Sequence, residues 1–197
     1  MPVALRTLMD LTKEDKDLLE QILSSFSCEK DRDIENFLRH RAVQFEEFSK
    51  SRTYLICDEE QLASDGFYLE NLTVYGYIAL ALKVLSVPED TSNRVRKELD
   101  GLSGKIHNEP IGDFPCYLIG QLARNSAVHK NALSGKELLQ FANDIIAASV
   151  EAVGGRYVMI ECHDDTKLVK FYTDNDFKGI ARIPDEGNPM VQMIRKI

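Results

Sequence analysis

An α/β fold, a mixed central sheet flanked by helices, is predicted by three observations. Runs rich in β-branched and aromatic residues alternate with apolar stripes at helical spacing along the chain. Residues 116–153 carry an apolar strand through a polar loop directly into an amphipathic helix. Ser134 and Glu137 form an S-x-x-E capping box just before Leu138 and Leu139, while Gly135 keeps the first helical turn uncluttered. No repeat or low-complexity tract competes with this pattern.

The 197 residues can bury one substantial core and leave little room for a second full domain, so a single domain over 1–197 is expected. A formal charge of -8 argues against a general polyanion-binding surface while leaving room for a local basic pocket, which makes nucleic acid a disfavoured partner. Cys28, Cys57, Cys116 and Cys162 are widely separated without C-x-x-C spacing, so reduced structural cysteines are expected rather than a disulfide framework. Asp10, Glu14 and Asp15 precede any sustained apolar run, and no stretch of about 18 apolar residues occurs. A soluble, cytoplasmic chain without membrane contact is the expectation.

Taken in order, residues 3–9 form a short apolar segment, and Thr12 with Asp15 opens a helix carrying Leu18, Leu19, Ile22, Leu23 and Phe26. Ile34, Phe37, Leu38, Ala42, Phe45 and Phe48 place one apolar stripe on a second helix. Strands are predicted at 52–58 and 72–85, with 59–71 between them as a loop or hairpin arm. Pro88, Pro110 and Pro115, with several glycines around a short helix at 92–99, mark 88–115 as a loop-rich excursion. Beyond the capped helix follow a strand at 157–162, a short helix at 166–174 bearing Leu168, Phe171 and Tyr172, and a last strand at 190–196. The apolar composition of that last strand fits either a homodimer interface or a central strand within one subunit.

The strand, loop and helix of 116–153 admit two readings: helix-start amides facing a phosphate, or an ordinary αβ junction. Cys162 and His163, beside Asp164 and Asp165, point to opposite faces of an extended segment, so neither a nucleophile nor a metal site is expected there. Arg39, Arg41 and Arg52 supply acceptor-side charge or pair with nearby acids.

The Leu122–Ala123 strand end, the helix start at Ser134 and the Phe171–Tyr172 pair before Phe177 together resemble the GCN5-related N-acetyltransferase family over most of the chain. In that family a strand ending in L-A or a similar pair precedes a Q/R-x-x-G-x-G/A loop, and a later helix ends in F-Y before a G-F step. The matching text here is QLARNSAVHKNALSGKELL and YVMIECHDDTKLVKFYTDNDF. Two departures stand out: the first loop glycine is replaced around Asn131, Ala132 and Leu133, and Asp176 occupies the glycine of the G-F step.

The resemblance implies a sheet that splays beyond Leu122, Ala123 and Arg124 to admit the pantetheine arm of acetyl-CoA. It places the pyrophosphate on the backbone amides of Lys130, Asn131, Ala132, Leu133, Ser134, Gly135 and Lys136, with Lys130 or Lys136 adding a point charge and His129 near the entry. Tyr172 is the implied catalytic residue, protonating the departing thiolate, although its ring can equally serve to dock the short helix. Glu161, read as ending its strand at the cleft, is a weaker candidate for drawing a proton from the amine.

The implied reaction is direct acetyl transfer to a primary amine of a small molecule or peptide, for which an acidic surface is suited. A noncatalytic CoA-binding or protein-interaction module on the same fold is the alternative. The paired helices and F-L-x-x-x-A at 37–42 also resemble the family's bacterial toxins that act on charged transfer RNA, a subset ranked behind because it calls for a basic RNA-facing surface and a stronger glycine loop. A bacterial source fits the resemblance.

Overall fold

The computed structural model describes residues 1–63, 68–184 and 189–197. In chain order it comprises β1 (Pro2–Ala4), α1 (Leu5–Leu11), α2 (Lys16–Ser24), α3 (Arg32–Asn36), a π turn at Phe37–Arg41, α4 (Ala42–Glu47), β2 (Arg52–Cys57), α5 (Glu59–Ala63), a 3₁₀ turn at Leu69–Asn71 and β3 (Val74–Ser86). There follow α6 (Asn93–Asp100), β4 (Lys105–Ile106), β5 (Glu109–Pro110), β6 (Asp113–Arg124), α7 (Gly135–Val153), β7 (Tyr157–His163), α8 (Thr166–Thr173), β8 (Lys178–Ile183) and β9 (Met190–Lys196). Seven strands form a mostly antiparallel sheet, and β4 and β5 form a separate hairpin. The chain divides into two compact units, Met1–Ala81 with Ile119–Ala152, and Leu82–Leu118 with Val153–Ile197. Strands β3 and β6 run through both.

In the first unit the strand order is β1-β2-β3-β6. Alternation along β2 and β3 sends Leu55, Cys57, Tyr77 and Ala79 into one core with Leu5, Leu8, Ile22, Leu23, Phe26, Phe37, Leu38 and Ala42 from the N-terminal helices. Tyr77 is its hub: its ring meets Phe26 edge-on at 5.0 Å and stacks with Phe37, and its hydroxyl donates to the Ile34 carbonyl at 2.6 Å. Asp15, not Thr12, caps α2, accepting from the Leu18 amide at 3.0 Å. The Thr12 hydroxyl instead donates to the Leu8 carbonyl and closes α1.

The expected second helix is interrupted. The Ala42 amide reaches back five residues to Phe37, and this wider turn brings Phe37, Leu38 and Ala42 all onto the core side. Where a loop or hairpin arm was expected at 59–71, residues 59–63 are helical and 69–71 form a 3₁₀ turn, while 64–67 lie outside the described residues.

The second unit has strand order β3-β6-β7-β9-β8. Leu85, Leu99, Phe114, Cys116, Tyr157, Met159 and Ile194 form its core. Strand β9 pairs with both β7 and β8, and that central place accounts for the apolar content of its sequence. Every residue of β8 is exposed, so it carries none of the buried-face alternation that reveals a strand, and it was not anticipated. The excursion at 88–115 is ordered by Arg96, whose buried guanidinium donates to the carbonyls of Pro88, Glu89, Thr91 and Ile111. All four cysteines are free and buried, and no described helix is long and apolar enough to cross a membrane.

Candidate active site

The first unit assembles the expected cofactor-binding residues at the end of β6 and the start of α7. Ala123 points into the N-terminal core, which leaves half-buried Leu122 and exposed Arg124 on the opposite side of the strand. Gly76 on β3 permits this packing, since a Cβ there would stand 2.7 Å from the Ala123 carbonyl and 2.9 Å from the Leu133 side chain. The Arg124 guanidinium closes the loop by donating to the carbonyls of Lys130 and Leu133, both at 3.2 Å, and Leu133 is buried beneath it.

The capping box forms as expected: the Glu137 amide donates to the Ser134 hydroxyl at 3.1 Å, and the Ser134 amide to the Glu137 carboxylate at 2.8 Å. The Ser134 contacts hold the Glu137 carboxyl below its ordinary value. Not every amide from 130 to 136 is available to a ligand. Asn131 donates to His129 Nδ1, Ala132 to the His129 carbonyl, and Ser134 is spent on the box, because the loop folds on itself. Among the described residues the amides of Lys130, Leu133, Gly135 and Lys136 have no hydrogen-bond acceptor in the protein. Gly135 and Lys136 stand at the positive start of α7, where an anion is favoured, Lys130 and Lys136 are exposed, and Leu133 is buried.

Asn125, one residue past β6, escaped the sequence reading. Its buried amide accepts from Ser27 and Ala127 at 3.0 and 2.9 Å and donates to Val74 and Ser25 at 2.8 and 3.3 Å. A lone asparagine at a strand end looks like any turn residue, so only the fold discloses these partners.

Tyr172 lies in the second unit on α8, whose start is capped by Asp165 accepting from Lys167 and Leu168. Its ring is buried between Phe171 and Phe177, edge-on to each at 5.1 and 5.6 Å. Burial, aided by Cys162, raises the phenol well above its usual range, so it stays protonated and able to donate. The ring anchors the end of α8 through these two aromatic contacts. The helix ends in a Schellman turn: the Phe177 amide reaches the Tyr172 carbonyl, the Asp176 amide reaches Thr173, and Asp176 sits at φ +68°. Asp176 thus holds a left-handed conformation that ordinarily suits glycine.

Glu161 lies within β7 rather than at its end. Lys83 grips both of its oxygens at 2.6 and 2.7 Å, and Gln192 donates to it at 2.9 Å, so its lone pairs are already engaged. Burial pushes the Cys162 thiol up to about 11, which keeps it from serving as a nucleophile near neutral pH. Arg39 ties the carbonyls of Ser24 and Phe26 and pairs with Glu35, Arg52 pairs with the buried Glu46, and Arg41 lies over the Phe45 ring.

This architecture is the GCN5-related N-acetyltransferase fold. No protein-family model and no curated protein sequence matches the chain. Among solved structures, a Tyr-to-Phe mutant of KacT is 17% identical with a TM-score of 0.60, over 89% of each chain. AtaTR bound with acetyl-CoA is 19% identical at a TM-score of 0.60, over 86% of this chain and 84% of that one. AtaT complexed with acetyl-methionyl-tRNAfMet is 19% identical at 0.58, over 86% and 85%.

Proposed function

We propose that the chain is an acetyl-CoA-dependent N-acetyltransferase whose acceptor is the free α-amino group of an aminoacyl-tRNA. The observation that carries the cofactor is the pair of Gly135 and Lys136 amides, unpaired among the described residues, at the start of α7, with exposed Lys130 and Lys136, in the same unit as the strand end at Leu122, Ala123 and Arg124. Acetyl-CoA supplies the activated acetyl thioester. The peptide groups of Leu122, Ala123 and Arg124 would pair with the pantetheine amides, while Asn131, Ala132 and Ser134 would shape the loop, their own amides being spent within it. The amine would attack as the free base, a C–N bond forming as the C–S bond breaks; Tyr172 would give its proton to the departing sulfur, and the proton released by the acetylated amine would pass through water to restore the phenol.

Support for the acceptor comes from AtaT, a fold neighbour captured with acetyl-methionyl-tRNAfMet. The expected small amine or peptide gives way to this reading. A net charge of -8 averages over the whole chain and includes the acids of α1, α2 and residues 58–60, so it does not forbid a local RNA contact.

A second reading, a CoA-binding module without transfer, is favoured by the loop amides already consumed at Asn131, Ala132 and Ser134. Radiolabelled acetyl-CoA incubated with charged tRNA, uncharged tRNA, polyamines and lysine peptides separates these cases. Label on charged tRNA alone is expected. Label on the amines but not on tRNA overturns the acceptor, and cofactor binding without transfer to any of them overturns the enzyme.

A further inference from the structure

The segment after α2 is held against the end of β6 with unusual completeness. Asn125 fills every capacity of its side-chain amide, joining Ser25 and Ser27 on one side to Val74 and Ala127 on the other. The neighbouring backbone repeats the link: the Ser126 amide donates to the Ser27 carbonyl at 2.8 Å, the Glu29 amide to the Ser126 hydroxyl at 3.1 Å, and the Asn125 amide to the Tyr75 carbonyl at 2.8 Å. Glu35 takes the Cys28 amide at 2.7 Å. A turn of this kind between helices would ordinarily satisfy its backbone with water, whereas this one is pinned to residues 125 and 126 directly beyond Arg124.

We propose that Asn125 is a positioning residue for the acetyl-transfer reaction, fixing residues 25–29 as a preformed wall beside the pantetheine-pairing strand end. The proposal rests on the acetyltransferase reading given above. Asn125 touches neither cofactor nor acceptor; it acts through the Ser27 and Ala127 amides and the Ser25 and Val74 carbonyls. A preformed wall spares acetyl-CoA the ordering of five residues, so the function of Asn125 is expressed in cofactor affinity and not in the chemical step.

Steady-state kinetics and calorimetry on Asn125→Ala, Ser126→Ala and the unaltered chain test this. Asn125→Ala should raise KM and Kd for acetyl-CoA about 10-fold, with kcat at saturating cofactor within about twofold, since lost uniform binding raises KM alone. Ser126→Ala removes one contact, between its hydroxyl and the Glu29 amide, and should shift KM the same way by about two- to threefold. It also keeps the test decisive if Asn125→Ala does not fold. A fall in kcat and melting temperature with KM unchanged would mean a purely structural residue and would overturn the proposal. If the unaltered chain binds no acetyl-CoA, the acetyltransferase reading falls first and takes this inference with it. Normal binding by that chain with unaltered KM in both variants defeats the inference alone.

Discussion

Asp176 shows how two hydrogen bonds can hold a residue in a conformation that ordinarily suits glycine. Its φ of +68° is forced by the Phe177 to Tyr172 and Asp176 to Thr173 hydrogen bonds, and an L residue pays a steric penalty there that glycine escapes. Asp176→Gly should therefore stabilise the protein by about 0.5–1 kcal/mol in urea denaturation. An unchanged or lower midpoint would show that the carboxylate compensates for the strain. Tyr172 carries the sharper functional prediction. Tyr172→Phe keeps the ring contacts with Phe171 and Phe177, so cofactor affinity should persist while single-turnover acetyl transfer falls by about 10- to 1000-fold. Unchanged single-turnover transfer would remove the hydroxyl from the chemistry. The motif pair singled out Tyr172 in the sequence, whereas nothing pointed to Asn125, because its four partners come from segments as far as 100 positions away.

At the scale of elements, two devices hold local structure, one in each unit. The Ser134–Glu137 box holds the start of α7, and its carboxyl is depressed by the Ser134 hydrogen bonds. A depressed carboxyl contributes stability that is complete above its ordinary value of 4.5 and is lost as pH falls through the lower folded-state value. Amide exchange at Ser134 should accelerate across that acidic window relative to the middle of α7. Uniform exchange along the helix would mean that the box contributes nothing. Arg96 plays the corresponding part in the excursion. Its planar fork satisfies four carbonyls, a geometry an ammonium cannot reproduce, so Arg96→Lys should cost about 2–4 kcal/mol. Protease sensitivity within residues 88–111 should rise with it; an unaltered denaturation midpoint would refute the clamp. The short helix of this region, the capped helix and the strands at 52 and 157 were readable because burial imposes period on their sequences. The π turn at Phe37–Arg41 and the fully exposed β8 were not, since one shifts the helical period and the other has no buried face.

Across the whole molecule, the alternation of strand and helix patterns located the fold class, while net charge does not distinguish among acceptors. Net charge averages over every surface and is silent on the handful of residues that meet a substrate. The fold as a whole carries more information, and it is shared with solved structures at under 20% identity. That pairing of a preserved scaffold with a rewritten loop places the central claim on the cofactor. The most direct measurement is electron density for acetyl-CoA in crystals of the unaltered chain. The account predicts pyrophosphate oxygens within hydrogen-bonding reach of the Gly135 and Lys136 amides and pantetheine alongside Leu122, Ala123 and Arg124. Pyrophosphate density anywhere else on the chain would contradict it.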